Sequence, residues 1–147
     1  MEVLSVTEPP SENGLHGLFD SAVEYFEAGD FSAARDVLEQ LITKVPDDPQ
    51  ILNYLAVTTH QIGNSSQARE LFERAVQVEP NFVEAWRNLG NLTHEMGEFD
   101  QAIKAFSRLC KLTPKESSSF ICLGHAYQAN QQCSEAVIAY KCGLSLS

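Results

Sequence analysis

Residues 83–114 read VEAWRNLGNLTHEMGEFDQAIKAFSRLCKLTP, and their spacing decides the fold. Trp86, Leu89, Gly90 and Thr93 stand at i, i+3, i+4 and i+7, which lines them along one stripe of an α-helix. Gly97 suits a helix end, where a left-handed backbone is needed and glycine adopts it without steric cost. A second helical stretch follows, with Ala102 and Phe106 one turn apart, until Pro114 pushes the residue before it out of the α region. The segment therefore predicts helices over 83–96 and 99–112, joined as a hairpin. The small residues Gly90 and Ala102 let neighbouring helices approach closely.

The same spacing recurs every 34 residues in both directions. The stripe columns are Leu18, Leu52, Trp86, Phe120; Ser21, Leu55, Leu89, Leu123; Ala22, Ala56, Gly90, Gly124; and Tyr25, Thr59, Thr93, Tyr127. Gly29, Gly63, Gly97 and Gln131 share the turn position, and Ala34, Ala68, Ala102 and Ala136 open the second helix. Leu38, Phe72, Phe106 and Tyr140 lie one turn further on, with Pro46, Pro80 and Pro114 at the unit ends. Helix pairs are expected at 15–28 with 31–44, 49–62 with 65–78, 83–96 with 99–112, and 117–130 with 133–146. They correspond to units 15–48, 49–82, 83–116 and an incomplete 117–147, after a polar, aperiodic lead-in at 1–14. Asp48-Pro49 reads as an N-cap followed by proline in the first turn, and Ser117 as a cap for the fourth unit. Gln131 departs from the glycine column, so Asn130 is expected to supply the left-handed residue there.

The pattern W-x2-L-G-x2-Y, then A-x3-F, then P resembles the tetratricopeptide repeat, most fully in Trp86, Leu89, Gly90, Ala102, Phe106 and Pro114. The resemblance covers residues 15–147. It implies an all-α, right-handed α-solenoid of stacked antiparallel helix pairs, and a peptide of a partner protein held in the concave groove lined by the first helices. Helical geometry selects the face opposite the packing stripe. The candidate groove residues are Asn53, Tyr54, Val57, His60, Arg87, Asn88, Asn91, His94, Ile121, Cys122 and His125. A merely solvated face would be charged, yet this one includes Phe19, Val23, Phe26, Tyr54, Val57 and Ile121 beside several amides. Asparagines give and take hydrogen bonds with an extended backbone. The competing expectation is that some of these apolar residues pack as core. The clamp of basic residues and asparagines by which some members capture a C-terminal carboxylate is absent as a set, because Phe19, Val23 and Cys122 occupy its places. The asparagine ladder of O-linked N-acetylglucosamine transferases is matched only at Asn88 and Asn91.

The 147 residues carry 20 acidic and 10 basic side chains, a net charge of -10 that repels phosphate and anionic lipid. A protein segment, basic or apolar, is the expected partner, with no nucleic acid and no membrane. No window approaches 18 consecutive apolar residues and no secretory signal opens the chain, so a cytoplasmic location is expected. Cys110, Cys122, Cys133 and Cys142 lack paired ligand spacing and read as reduced thiols. His60 and His94 are 34 residues apart, with His125 one turn earlier in the next unit; groove-lining imidazoles are preferred here to a zinc triad. No phosphate loop, G-x-S-x-G elbow or complete H-E-x-x-H occurs, so no enzyme activity, cofactor or metal is expected within these residues. The alternative function is an N-terminal targeting module of a larger enzyme, such as a glycosyltransferase or methyltransferase. A final unit without a polar cap is expected to leave an edge of Leu123, Tyr127, Ala136, Tyr140 and Leu144 partly uncovered. Continuation of the chain or self-association through that repeat would cover it.

Overall fold

The structure, a computed structural model, describes residues 12–147, and among them it contains eight helices and no strand. They are α1 (Glu12–Glu27), α2 (Phe31–Lys44), α3 (Pro49–Gln61), α4 (Ser65–Val78), α5 (Val83–Glu95), α6 (Phe99–Leu112), α7 (Ser117–Ala129) and α8 (Cys133–Leu146). Each packs chiefly on its neighbours in the chain, which makes an all-α solenoid of helix pairs. The second helices occupy the expected spans. All four first helices end one residue earlier than expected, and α1 begins at Glu12, inside the expected lead-in. The remainder of that lead-in lies outside the described residues.

The early endings follow from one hydrogen-bonding device used in all four hairpin turns. In the α3–α4 turn, the Gly63 N–H donates to the His60 carbonyl at 2.9 Å and the Asn64 N–H to the Thr59 carbonyl at 3.1 Å. This is the Schellman pattern, which satisfies orphan carbonyls and requires a left-handed residue between the helix and the next cap. Gly29, Gly63 and Gly97 meet that requirement with φ of 79°, 103° and 77°. In the fourth turn Gln131 takes it up at φ 61°, whereas Asn130 stays at φ −85°. The expectation for Asn130 is thus corrected: the repeat register fixes which residue turns, and a side chain suited to turning one position earlier does not move it.

The caps follow the sequence in part. Asp48 Oδ1 accepts the Ile51 N–H at 2.9 Å, with Pro49 in the first turn of α3. Ser117, by contrast, is not a cap. Glu116 stands at the N-cap of α7 without a side-chain cap bond, and the Ser117 hydroxyl donates across to the Gly143 carbonyl on α8 at 2.7 Å.

The core has more stripes than the hairpin pattern alone requires. Besides Leu52, Leu55, Ala56 and Thr59, α3 buries Ile51 and Thr58; α5 likewise buries Ala85 and Leu92, and α7 buries Ser119 and Ala126. Each of these first helices packs both on its own partner and on the helix before it, so it needs two apolar faces. Helix α1 has nothing described before it, and its equivalent positions, Gly17 and Glu24, are exposed. At the other end, Ala136 is buried, Leu123, Tyr127 and Tyr140 are half-buried and Leu144 is 69% exposed, so all of the edge expected to be partly uncovered except Ala136 keeps some exposed surface. The Tyr140 ring lies against Gly124 and closes the last hairpin on itself. The apolar surface that remains outside on α8 also includes Val137 and Ile138.

Arginines tie consecutive hairpins together. Arg74 donates to the Pro46 carbonyl at 2.6 Å and to Asp47 at 3.0 Å; one repeat later Arg108 donates to the Pro80 carbonyl and, at 3.0 Å, to Asn81. Arg69 pairs with Glu98 at 2.6 Å, and this hydrogen bond leads the causes that raise its pKa above the ordinary arginine value. Among the described residues no helix is long and apolar enough to cross a membrane.

Candidate functional site

The face of α3, α5 and α7 carries the candidate groove residues, and the structure sorts them by what they already touch. Tyr54 is half-buried in an aromatic cluster, edge-on to Phe19 and to Phe26 with ring centroids 5.5 Å apart in each case. The apolar character at the N-terminal end of the face is therefore largely packed against itself, as the core expectation had it. Val57 packs against the central core beside Phe72 and Leu92. Ile121 is turned towards α8, its Cγ1 only 3.1 Å from where a Cβ on Gly143 would stand.

The polar candidates join helix to helix. Asn88 Nδ2 donates to Asn53 Oδ1 at 3.1 Å, bridging α5 to α3. His60 makes a second bridge, with Nε2 at 3.1 Å from Glu95 Oε2 and Nδ1 at 3.1 Å from Ser65 Oγ. Arg87 is tied to Glu116 at 2.8 Å. His94 lies edge-on to Phe99 and His125 edge-on to Tyr140, each against its own hairpin partner. Among the described residues no three His, Cys, Asp or Glu side chains are grouped to hold a metal ion.

Two hollows lie between these bridges. One, of about 180 Å³, is lined by Val57, His60, Gln61, Phe72, Asn88, Asn91, Leu92 and Glu95. The other, of about 190 Å³, is lined by Asn91, His94, Glu95, Phe106, Cys122 and His125. Every member of the second set stands 34 residues after a member of the first: 57 to 91, 60 to 94, 61 to 95, 72 to 106, 88 to 122 and 91 to 125. The repeat has built the same hollow twice, with a phenylalanine from the second helix as one wall and a histidine on each. Asn91 and Glu95 belong to both.

Phe72, Phe106, Gln61, Leu92 and Glu95 are thus lining residues outside the candidate set. Gln61 and Glu95 lie on the exposed stripe of the sequence, but the two phenylalanines read as core. The close approach of helices at Gly90, where an added Cβ would meet Phe106 at 2.5 Å, brings that ring to the second hollow.

Burial shapes the thiols nearby. Cys122 is half-buried and burial raises its pKa, with the Arg87 guanidinium pulling it back. Cys110, deeper between hairpins, is pushed up to about 11, chiefly by burial and then by the neighbouring Cys122 and Cys142 thiols. Such thiols stay protonated near neutral pH and are poor nucleophiles. A larger hollow, of about 560 Å³, runs along the hairpin turns. Its polar side chains are engaged with one another: Arg69 pairs with Glu98, and Asn130 Nδ2 donates to Asp100 Oδ1 at 2.9 Å.

Comparison with known proteins agrees with this architecture. Two family models, both described as Tetratricopeptide repeat, match residues 25–73 and 60–117. No curated protein matches the chain. Among solved structures, a crystal structure of MamA superposes with a TM-score of 0.86 at 22% identity, covering 91% of this chain and 78% of that one. A MamA from Desulfovibrio magneticus RS-1, residues 41 to the end, superposes with a TM-score of 0.83 at 16% identity, covering 90% and 75%. At these identities the likeness is one of fold. Repeat spacing, turn chemistry and matched models together place the chain in the tetratricopeptide repeat family, whose helical stacks serve as protein–protein interaction scaffolds.

Proposed function

We propose that the chain is an interaction scaffold that holds an extended peptide segment of a partner protein along α3, α5 and α7, across its second to fourth hairpins. The observation that carries this reading is the hollow repeated one unit apart on that face. Equivalent residues line both hollows and Asn91 and Glu95 belong to each, so one extended segment can engage the two in succession. Asn88 and Asn91 lie beside the hollows, and Asn88 uses one N–H on Asn53, which leaves its carbonyl and second N–H for a ligand. The aromatic cluster of Phe19, Phe26 and Tyr54 stiffens the N-terminal end of the face and bounds the peptide there.

Asparagine substitution tests this placement. Changing Asn88 and Asn91 together to Ala is expected to weaken binding of a groove peptide by about 1 to 3 kcal/mol, the effect of losing hydrogen bonds to a buried backbone. Unchanged affinity in a double variant that keeps its helicity would show that the peptide lies elsewhere.

A further inference from the structure

At the end of the stack where the chain enters α1, a further hollow of about 320 Å³ lies among the start of α1, the end of α2 and the start of α3. Leu41 and Ile51 are buried beneath it, while Leu15, Phe19 and Val45 are half-buried and keep apolar surface open to it. His16 and Gln50, both exposed, complete the lining together with Asp48, whose carboxylate is already used on the Ile51 N–H.

The repeat explains why this junction is apolar and unfilled. Two units later the same columns hold Val83, Arg87, Thr113, Glu116 and Ser119. There polar side chains close the space, Arg87 pairing with Glu116 at 2.8 Å and the Thr113 and Ser119 hydroxyls sharing a hydrogen bond at 2.8 Å. One unit later Phe82 stands in the column of Asp48 and packs against the central core. At the first junction Phe19 and Val45 stand where Arg87 and Thr113 do, so the space is left to apolar groups.

The sequence supplies such groups next to the hollow. Residues 1–11, outside the described residues, include Val3, Leu4 and Val6. Leu15 and Phe19 lie about 5 and 10 Å along α1 from its first residue, Glu12. The five residues 7–11 span up to about 17 Å when extended, which is long enough to bring Val6 back over both. A tether that short holds its end at an effective concentration in the millimolar range, an advantage that no unlinked apolar peptide has. We infer that Val3, Leu4 and Val6 of the chain's own N-terminal segment seat in this hollow and cover Leu15, Phe19 and Val45. The Phe19 ring also meets Tyr54, so the seated segment borders the N-terminal end of the candidate face.

Methyl NMR of the intact chain tests the inference. The parent, labelled at Ile, Leu and Val methyl groups, is compared with a chain carrying Val3→Ser, Leu4→Ser and Val6→Ser. The expected result is nuclear Overhauser contacts from the Val3, Leu4 or Val6 methyls to those of Leu15, Val45 or Ile51. In the triple variant the Leu15, Val45 and Ile51 methyl signals should shift. The three substitutions fall outside the eight helices, and circular dichroism checks that helicity is kept. Absence of those contacts, or hollow methyl signals unchanged in the variant, overturns the inference. Contacts found only between labelled and unlabelled chains in a mixed sample also overturn it, by giving the hollow to the segment of a second copy. None of these outcomes bears on the peptide reading of α3, α5 and α7.

Discussion

Replacing Gly90 with Ala should destabilise the chain, against the ordinary effect of that change in a helix. Glycine in a helix interior costs about 1 kcal/mol relative to alanine, so the substitution would normally be stabilising. Here the new Cβ would stand 2.5 Å from Phe106 Cε1 and 2.7 Å from Cδ1. Ordinary carbon contacts lie at about 3.5 to 4.0 Å, so the ring or the helix must retreat by about 1 Å. Phe106 can retreat only by disturbing its neighbours: it is 3% exposed and packs in a cluster with Ala102, Leu109 and Ala126. Overpacking of this kind costs about 1 to 3 kcal/mol, which outweighs the propensity gain and leaves a net loss of about 1 kcal/mol. Gly124 is the internal control. A Cβ there would meet the Tyr140 ring at 2.6 Å, but Tyr140 is only half-buried and α8 has an exposed outer face, so the last helix can shift outward. Gly124→Ala should therefore fall close to neutral. Urea unfolding followed by helical circular dichroism measures both as changes in midpoint at constant slope. A Gly90→Ala chain as stable as the parent, or a larger loss at Gly124 than at Gly90, would refute the close-approach argument.

Other outcomes follow from single contacts. Gln131→Gly should stabilise the chain by about 0.5 to 1 kcal/mol, because the left-handed backbone cost of about 1 to 2 kcal/mol exceeds the added entropy of glycine in the unfolded chain; a lowered melting temperature would contradict the observed φ of 61°. Asp48→Ala should cost about 1 kcal/mol through loss of the cap on α3, read by the same urea titration. Cys110 gives a pH dependence with a defined sign. Its thiol is protonated in both states below 9.0; above that the unfolded thiol ionises while the folded one, at about 11, does not. Stability should thus fall between pH 9 and 11 by up to about 2 kcal/mol more than in Cys110→Ala. A difference that is flat or rises over that window would remove the assignment.

The fold was legible because its signals are local and repeated. A four-residue stripe at one period, with a glycine and a proline in each of the first three units, placed the eight described helices, and the second helices match to the residue. What stayed hidden depends on contacts between units. Ile51, Thr58, Ala85 and Leu92 form a second buried stripe that a lone amphipathic helix would not have, and only stacking on the preceding helix explains it. The candidate groove residues lie on α3, α5 and α7, but side-chain direction was not legible. Tyr54 points into an aromatic cluster and Ile121 towards Gly143, while Phe72 and Phe106 reach the hollows from helices read as core. Arg74 and Arg108 share a column 34 residues apart, a signal present in the sequence for the ties they make.

The central claim, that a peptide lies along α3, α5 and α7, is tested most directly by amide hydrogen exchange of the chain with and without a saturating library-selected peptide. Slower exchange is expected in α3, α5 and α7, strongest at residues 57–61 and 88–95, with α4 and α6 little changed. Protection confined to α4, α6 or the outer face of α8, with the first helices exchanging as before, would contradict it.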